Sequence, residues 1–519
     1  MSAERTNVSI AAATLVLFLF CLPFHDLIPA GNGQGYDGSR YANWVRDLSI
    51  GSLSDSAADH WRQAPSSPLE LDSYYAHRIL PSLTLHYVMG GLGIDTSELN
   101  LLRTFTALNI VMLLLGMICW LVSADEFKVD SNGKWLGFLA LVVSYANLKM
   151  PLYYPTLTDS AAFATGSACL LCYLKRWRLA LWLCCFAGAF IWPTITYFGF
   201  FLVAFPRSEQ RETDRGPRGL NTMLAVAAAL AVAAIIEEVI SSGWVKEDTA
   251  VRPISTLIHL SVAVAAVYVF VGLRPLLDSR RLWQSLNPVN FLRTAPFFAG
   301  CLLLLTSELL IWLIGPQPPE VKSTEFLADT FWTAAPEPSI FFLAHVLYFG
   351  PILLFYLFLW PRVSGVVRAQ GAGLVLCFAM AVVLSLGSES RRLINFLPFA
   401  IVFLVTAMSG VAATRLRWTV LAALTFLISK AWLPMDRTLA VPFAGELEWR
   451  TLYVSSRGPW IGHTAYTIQL LPVLLLLPLL YFWSKSARHA ALLATPSESL
   501  GGEQPVGLGE MLETTGRVR

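Results

Sequence analysis

The sequence predicts an all-α, polytopic membrane protein of about 12–14 transmembrane helices, with juxtamembrane helices in its first outer loop. Three observations predict it. Of 519 residues, 55% are hydrophobic and 14% charged, and mean hydropathy is +0.57; a soluble protein of this size carries roughly a quarter charged residues. Apolar runs of about 17–25 residues, the length that crosses a hydrocarbon core, recur from end to end. Between them the Arg and Lys clusters fall into alternate loops, as the positive-inside bias requires of a multi-pass chain.

The first run, 8–28, is long for a signal segment and no small-residue cleavage site follows it, so it reads as a span. Further spans are expected at 101–122, 134–150, 159–174, 178–191, 194–205, 221–240, 255–273, 295–314, 341–360, 372–387, 393–411, 418–433 and 467–484. The stretch 79–92 is short and carries Pro81 and Gly90-Gly91, which marks it as juxtamembrane or re-entrant. A single tilted span over 178–205 would put either Lys175-Arg176-Trp177-Arg178 or the arginines from Arg207 to Arg218 outside. Two short helices turning at Trp192-Pro193-Thr194 keep both clusters inside. Arg274/Arg280/Arg281/Arg293, Arg362/Arg368, Arg415/Arg417 and Lys485/Arg488 then share the amino-terminal, cytoplasmic side. The acid-bearing loop 315–340 and the loop 434–466 lie opposite. Residues 1–485 form one transmembrane domain with the first outer loop at 29–100, and 486–519 form a disordered cytoplasmic tail. No internal repeat is visible.

The net charge of +2 offers no electrostatic footprint for nucleic acid. All eight cysteines fall inside apolar runs; Cys169-x-x-Cys172 has redox or zinc spacing, but it sits in a span without a second pair and reads as packing.

The polar groups that remain gather on the outer face. Asp37 lies in Tyr36-Asp37-Gly38-Ser39-Arg40-Tyr41, where Gly38 lets the chain turn tightly and Arg40 and Tyr41 supply a cation and a phenol within one turn. An acid there is a general base, a metal ligand or a solvated loop acid. Asp159, at the mouth of a span after Tyr153-Tyr154-Pro155, is either an N-cap or a second carboxylate facing Asp37. Arg78, beside His77, enters an apolar stretch where a cation needs an anion or must snorkel; its guanidinium suits phosphate. Glu389-Ser390-Arg391-Arg392 puts positive charge at an outer span boundary, against the usual bias, which favours phosphate binding over anchoring. His60 and His77 share the first outer loop without metal-ligand spacing, and Glu237-Glu238 reads as a span end.

In order, Tyr36-Asp37-Gly38, Arg78-Ile79-Leu80-Pro81, Pro155-x-x-x-Asp159 and Arg391-Arg392 followed by Pro398 resemble the GT-C superfamily of integral membrane glycosyltransferases, and poorly characterised bacterial members in particular. The resemblance covers roughly the first 200 residues and is architectural beyond them, apart from 389–398. It implies a GT-C-like helix arrangement and an inverting transfer of a sugar from a polyprenyl-phosphate carrier to a glycan, lipid or protein acceptor. It places the protein in the bacterial inner membrane with its site facing the periplasm. Asp37 and Asp159 would be catalytic, with a divalent cation between them if any. Arg78, Arg391 and Arg392 would hold the donor phosphate, and Tyr36, Arg40, Tyr41, His77 and Glu389 would line the substrate. The first outer loop here has one Asp in Asp37-Gly38, not an adjacent acidic pair, which counts against metal dependence.

Two other classes fit the same pattern. A transporter or lipid flippase places polar groups on broken helices near the midplane, often within repeats. Here the acids lie at span mouths, and only Trp192-Pro193 interrupts a run deeply. A catalytically silent scaffold of this architecture is the third.

Overall fold

The computed structural model describes residues 3–28, 30–53, 73–208, 218–242, 257–279, 291–315, 325–408, 415–432 and 463–494. It is 83% helical, with no strand among the described residues. The helices are α1 (Ala3–Cys21), α2 (Tyr36–Asp47), α3 (Ser73–Ala76), α4 (Ile79–Leu92), α5 (Glu98–Glu126), α6 (Ser131–Leu141), α7 (Met150–Tyr153), α8 (Asp159–Leu174), α9 (Arg178–Ala189) and α10 (Pro193–Ala204). After them come α11 (Arg218–Ser241), α12 (Ile258–Leu276), α13 (Phe291–Ile314), α14 (Glu325–Trp332), α15 (Ile340–Phe349), α16 (Phe355–Ala369), α17 (Ala372–Leu384), α18 (Leu397–Ala407), α19 (Arg415–Ser429) and α20 (His463–Ala494). Among the described residues six helical stretches are long and apolar enough to cross a membrane: Ala3–Phe24, Glu98–Glu126, Gly219–Ser241, Ile258–Leu276, Ala295–Ile314 and Pro351–Ala369. The protein is therefore an all-α, multi-pass membrane protein.

Polar ties sort the helix ends into two sets. At one end, Lys134 is fully buried between Asp125 (2.5 Å) and Asn7 (2.9 Å), and Lys175 meets Glu126 at 2.5 Å. Arg207 donates to the carbonyl of Leu174 and to Gln370, and Arg368 to the carbonyl of Pro275. This is the end at which α1 starts, and it collects the basic clusters. The other end carries α2–α4 and the turns before α8, between α9 and α10, and before α18.

The α9–α10 hairpin follows from its sequence. Pro193 opens α10 in the first-turn position a proline tolerates, and Phe190, Ile191 and Trp192 close the turn through bonds to Ala187 and Gly188. Each helix has 12 residues, about 18 Å, well short of a crossing. Small residues on α8 let its neighbours approach closely: a Cβ on Gly166 would lie 1.9 Å from the carbonyl oxygen of Asn395.

Three expectations need correction. The span placed at 134–150 is two segments bent by 64°, Ser131–Leu141 and Tyr145–Tyr153, because Ser144 caps a π-turn through its hydroxyl and Pro151 reopens a helix beyond it. The span at 341–360 breaks at Gly350, whose φ of 101° lies where only glycine sits without strain, and α16 runs on to Ala369. The short helix expected over 79–92 is α4, which passes through Gly90 and Gly91 and ends at Gly93 in the left-handed region, φ 66°. The last helix does not stop near 485 but continues to Ala494, through the helix formers Ala487, Arg488, Ala490, Ala491, Leu492 and Leu493. The expected tail beyond 494 and the loop 434–462 lie outside the described residues, as does His60.

Candidate functional site

Asp159 is the first residue of α8. The N-cap is Thr158, which makes no side-chain capping bond. The Asp159 carboxylate accepts instead from Arg391, Nε to Oδ1 at 3.2 Å and Nη2 to Oδ2 at 2.9 Å. Both side chains are buried, so this is a desolvated, bidentate pair joining residues 232 apart in the chain. The capping role considered for Asp159 is replaced by an ion pair across the fold.

Arg391 and Arg392 part company. Arg392 donates to Glu389 at 2.7 Å, to the Thr330 hydroxyl at 2.8 Å and to Asp329, with its guanidinium 4.6 Å from the Phe326 ring. It clasps the 389–392 turn to α14 with two carboxylates around one cation. Asp329 was absent from the sequence-derived set; its only signal was an acid-rich loop on the same face as an arginine pair.

Arg78 is 5% exposed. Its guanidinium lies 4.5 Å from the rings of both Tyr74 and Trp192, and Nη1 donates to the Tyr41 hydroxyl at 3.4 Å. Among the described residues no carboxylate comes within ion-pair distance of it, and its Nε has no hydrogen-bond partner. Trp192 also faces Arg391, at 5.6 Å. One buried indole thus holds two guanidiniums, by the cation–π attraction of the ring face. In the sequence Trp192 stood out only as part of a break that brought no charge.

Asp37 sits in the first turn of α2, where a carboxylate faces the positive end of the helix. It accepts from the Tyr75 hydroxyl at 3.4 Å. Gly38 is helical, so its value is not a tight turn. A Cβ there would meet the Thr156 hydroxyl at 1.9 Å, and its N–H donates to the Tyr154 hydroxyl at 3.3 Å. The glycine lets α2 lie directly on the 154–156 turn that leads into Asp159. Burial pushes the Tyr41 phenol well above its ordinary value; Arg78 opposes that push and Asp37 adds to it, so both charges act on this one buried ring.

The remaining candidates are peripheral. Arg40 is exposed and lies 4.5 Å from the Tyr75 ring. His77 donates from Nδ1 to the Ala189 carbonyl, docking the outer loop on the end of α9, and burial lowers its pKa to about 4. Tyr36 opens α2, but its side chain is outside the described residues. Behind the turn, His345 donates from Nε2 to the Ser385 carbonyl at 2.7 Å and accepts from the Ser390 hydroxyl at 2.9 Å, while Thr194 donates to Asn395 at 3.0 Å. These bonds hold the Arg391 backbone in place.

The structure therefore brings Asp37, Arg78, Asp159 and Arg391 into one cluster, and gives Arg392 and Glu389 to a neighbouring clasp. A divalent cation does not fit at Asp159, since both its oxygens already accept from Arg391. Among the described residues no three His, Cys, Asp or Glu side chains converge as a cation site would need. Arg78, Asp159 and Arg391 are buried; among the described residues of the cluster Asp37, Arg40, Tyr74 and Tyr75 reach the surface, and the Tyr74 ring covers Arg78.

The fold and the site define a multi-pass, all-α membrane protein with a buried, arginine-rich charge cluster at one end. Comparison of the chain with family models, with curated proteins and with solved structures returned no match.

Proposed function

We propose that the protein is an integral membrane glycosyltransferase that moves a sugar from a polyprenyl-phosphate carrier to a glycan, lipid or protein acceptor on the outer, periplasmic face of a bacterial inner membrane. The observation that carries this reading is Arg78, a buried guanidinium clamped between two aromatic faces with no carboxylate at ion-pair distance among the described residues. Burying a cation without a carboxylate against it is costly, and a guanidinium matches a phosphate in shape and charge.

In this reading the donor phosphodiester displaces the Tyr74 ring and binds Arg78, with Arg391 on the other side of Trp192 adding positive potential. Asp37 takes the proton of the acceptor hydroxyl. The acceptor oxygen then forms its bond to the anomeric carbon as the carbon–oxygen bond to phosphate breaks, and the electron pair leaves on the phosphate, stabilised by Arg78. Attack opposite the leaving group inverts the anomeric centre. Asp159 keeps Arg391 placed, and Arg392 keeps the turn.

The test is transfer from a polyprenyl-phosphate sugar in proteoliposomes. Asp37→Asn is expected to fold and insert but to lose transfer by at least about a hundredfold, the usual contribution of a general base. Full activity in that variant would remove Asp37 from the chemistry. One observation favours the second reading, a transporter or flippase: the 64° break at 141–145 leads into buried Asn147 and Lys149. Movement of a fluorescent polyprenyl-phosphate sugar between leaflets without transfer would favour that reading.

A further inference from the structure

Away from the charge cluster, four of the eight cysteines gather where α8 meets α9. Cys169 and Cys172 are three residues apart on α8 and share one face. Each meets a cysteine of α9. Cys169 Sγ lies 3.6 Å from Cys185 Sγ, and the Cys172 thiol hydrogen-bonds that of Cys184. The second pair that the Cys169-x-x-Cys172 spacing lacked is thus Cys184-Cys185, on the neighbouring helix. Among the described residues no three His, Cys, Asp or Glu side chains converge, so these thiols meet in pairs and not as a metal tetrad.

The two pairs differ in access. Cys169 and Cys185 are 3% and 0% exposed, sealed inside the fold. Cys184 is half-buried, while its partner Cys172 is buried. Cys184 lies six residues along α9 from Arg178, about 9 Å at 1.5 Å per residue. Its neighbour Leu183 is exposed, and an apolar surface at that depth in a multi-pass protein faces acyl chains. What reaches Cys184 is therefore a molecule dissolved in the bilayer. Two thiols in contact, one of them open to a reactant, are the arrangement in which a sulfenic acid on the first is captured by the second.

We propose that Cys184 and Cys172 are a membrane-embedded redox dithiol whose reactant is a lipid hydroperoxide. The Cys184 sulfur attacks the terminal oxygen of the hydroperoxide and the O–O bond breaks. The lipid leaves as its alcohol, carrying the thiol proton, and Cys184 is oxidised to the sulfenic acid. The Cys172 sulfur then attacks the Cys184 sulfur, the S–O bond breaks, and the hydroxyl leaves as water with the Cys172 proton. One hydroperoxide is reduced to an alcohol and water, and the dithiol becomes a disulfide. The new bond ties α9 to α8, the helix that begins with Asp159.

The test uses the full-length protein in liposomes of saturated lipid, treated with cumene hydroperoxide or hydrogen peroxide, blocked with a maleimide and read by intact-mass and peptide mass spectrometry. The wild type should lose the mass of two hydrogen atoms, with the cross-link at Cys172–Cys184. Cumene hydroperoxide should act at a concentration at least about tenfold below that of hydrogen peroxide, because its apolar group partitions into the bilayer. Cys184→Ser should abolish the cross-link. Cys172→Ser should stop at the sulfenic acid, captured on Cys184 by dimedone, and Cys172→Ala serves where the serine variant does not fold. Cys119→Ser, on α5 near Cys184, should keep the cross-link. An unchanged mass in the wild type would overturn the assignment. So would equal potency of the two peroxides, a cross-link between Cys169 and Cys185, or its loss in Cys119→Ser.

Discussion

At the residue scale, two acids on the same face play different parts. Asp37 is partly exposed and holds one long hydrogen bond from Tyr75. Asp159 is locked to Arg391 in the interior. Asp159→Ala leaves a buried guanidinium without its partner and should destabilise the protein by about 3–5 kcal/mol, read as the midpoint of unfolding in detergent. Asp37→Asn should shift that midpoint by less than about 0.5 kcal/mol. Equal effects would mean that the two carboxylates are not divided in this way. His77 sets a pH limit. Its pKa is lowered to about 4 in the folded loop, against about 6.5 in an exposed chain, so the unfolded loop binds the proton first. Docking of the loop on α9 is unaffected above about pH 6.5 and weakens as pH falls from there toward 4. His77→Gln should remove that dependence when Trp fluorescence is followed across the range. The sequence already marked Asp37, Arg78, Asp159 and Arg391 as residues of one face. It did not show Trp192 as the bracket between two arginines, because an aromatic residue in an apolar run carries no signal until its neighbours across the fold are known.

At the element scale, the α9–α10 hairpin was legible because charge bias and Pro193 pointed the same way. The breaks at 141–145 and at Gly350 were not. Each lies inside a run that is apolar on average, and hydropathy is blind to a backbone turn whose polar groups are satisfied by Ser144 or whose φ is made available by glycine. The junction of α8 with the turn before α18 rests on Gly166. Gly166→Ala would press a methyl group onto the Asn395 carbonyl, which is backbone and cannot swing aside. The expected cost is about 1–3 kcal/mol, with the Thr194–Asn395 bond disturbed. Retention of wild-type thermal stability in Gly166→Ala would show that α8 and this turn are less tightly seated.

At the scale of the whole molecule, α5 is the ruler. It runs through the bundle from Glu98 to Glu126, and its two ends belong to opposite sets of polar ties. Thr96 and Lys128 lie just beyond those ends and are exposed. Thr96→Cys and Lys128→Cys should therefore be labelled by an impermeant maleimide from opposite sides of the membrane. Labelling of both from one side would reverse the layout of every loop. The same ruler measures the charge cluster. Asn109 of α5 donates to the carbonyls of Pro151 and Pro155, at the turn that leads into Asp159. Leu101, where the apolar stretch of α5 begins, is eight residues further out, about 12 Å at 1.5 Å per residue. The turn that leads into Asp159 thus lies about two helical turns below the apolar edge of α5, while Asp37, Arg40 and Tyr74 of the same cluster reach the surface. The cluster therefore spans depth, from a partly exposed acid to a buried ion pair. Helix length sets how far below the edge the Asp159–Arg391 pair is seated, before any side chain makes contact.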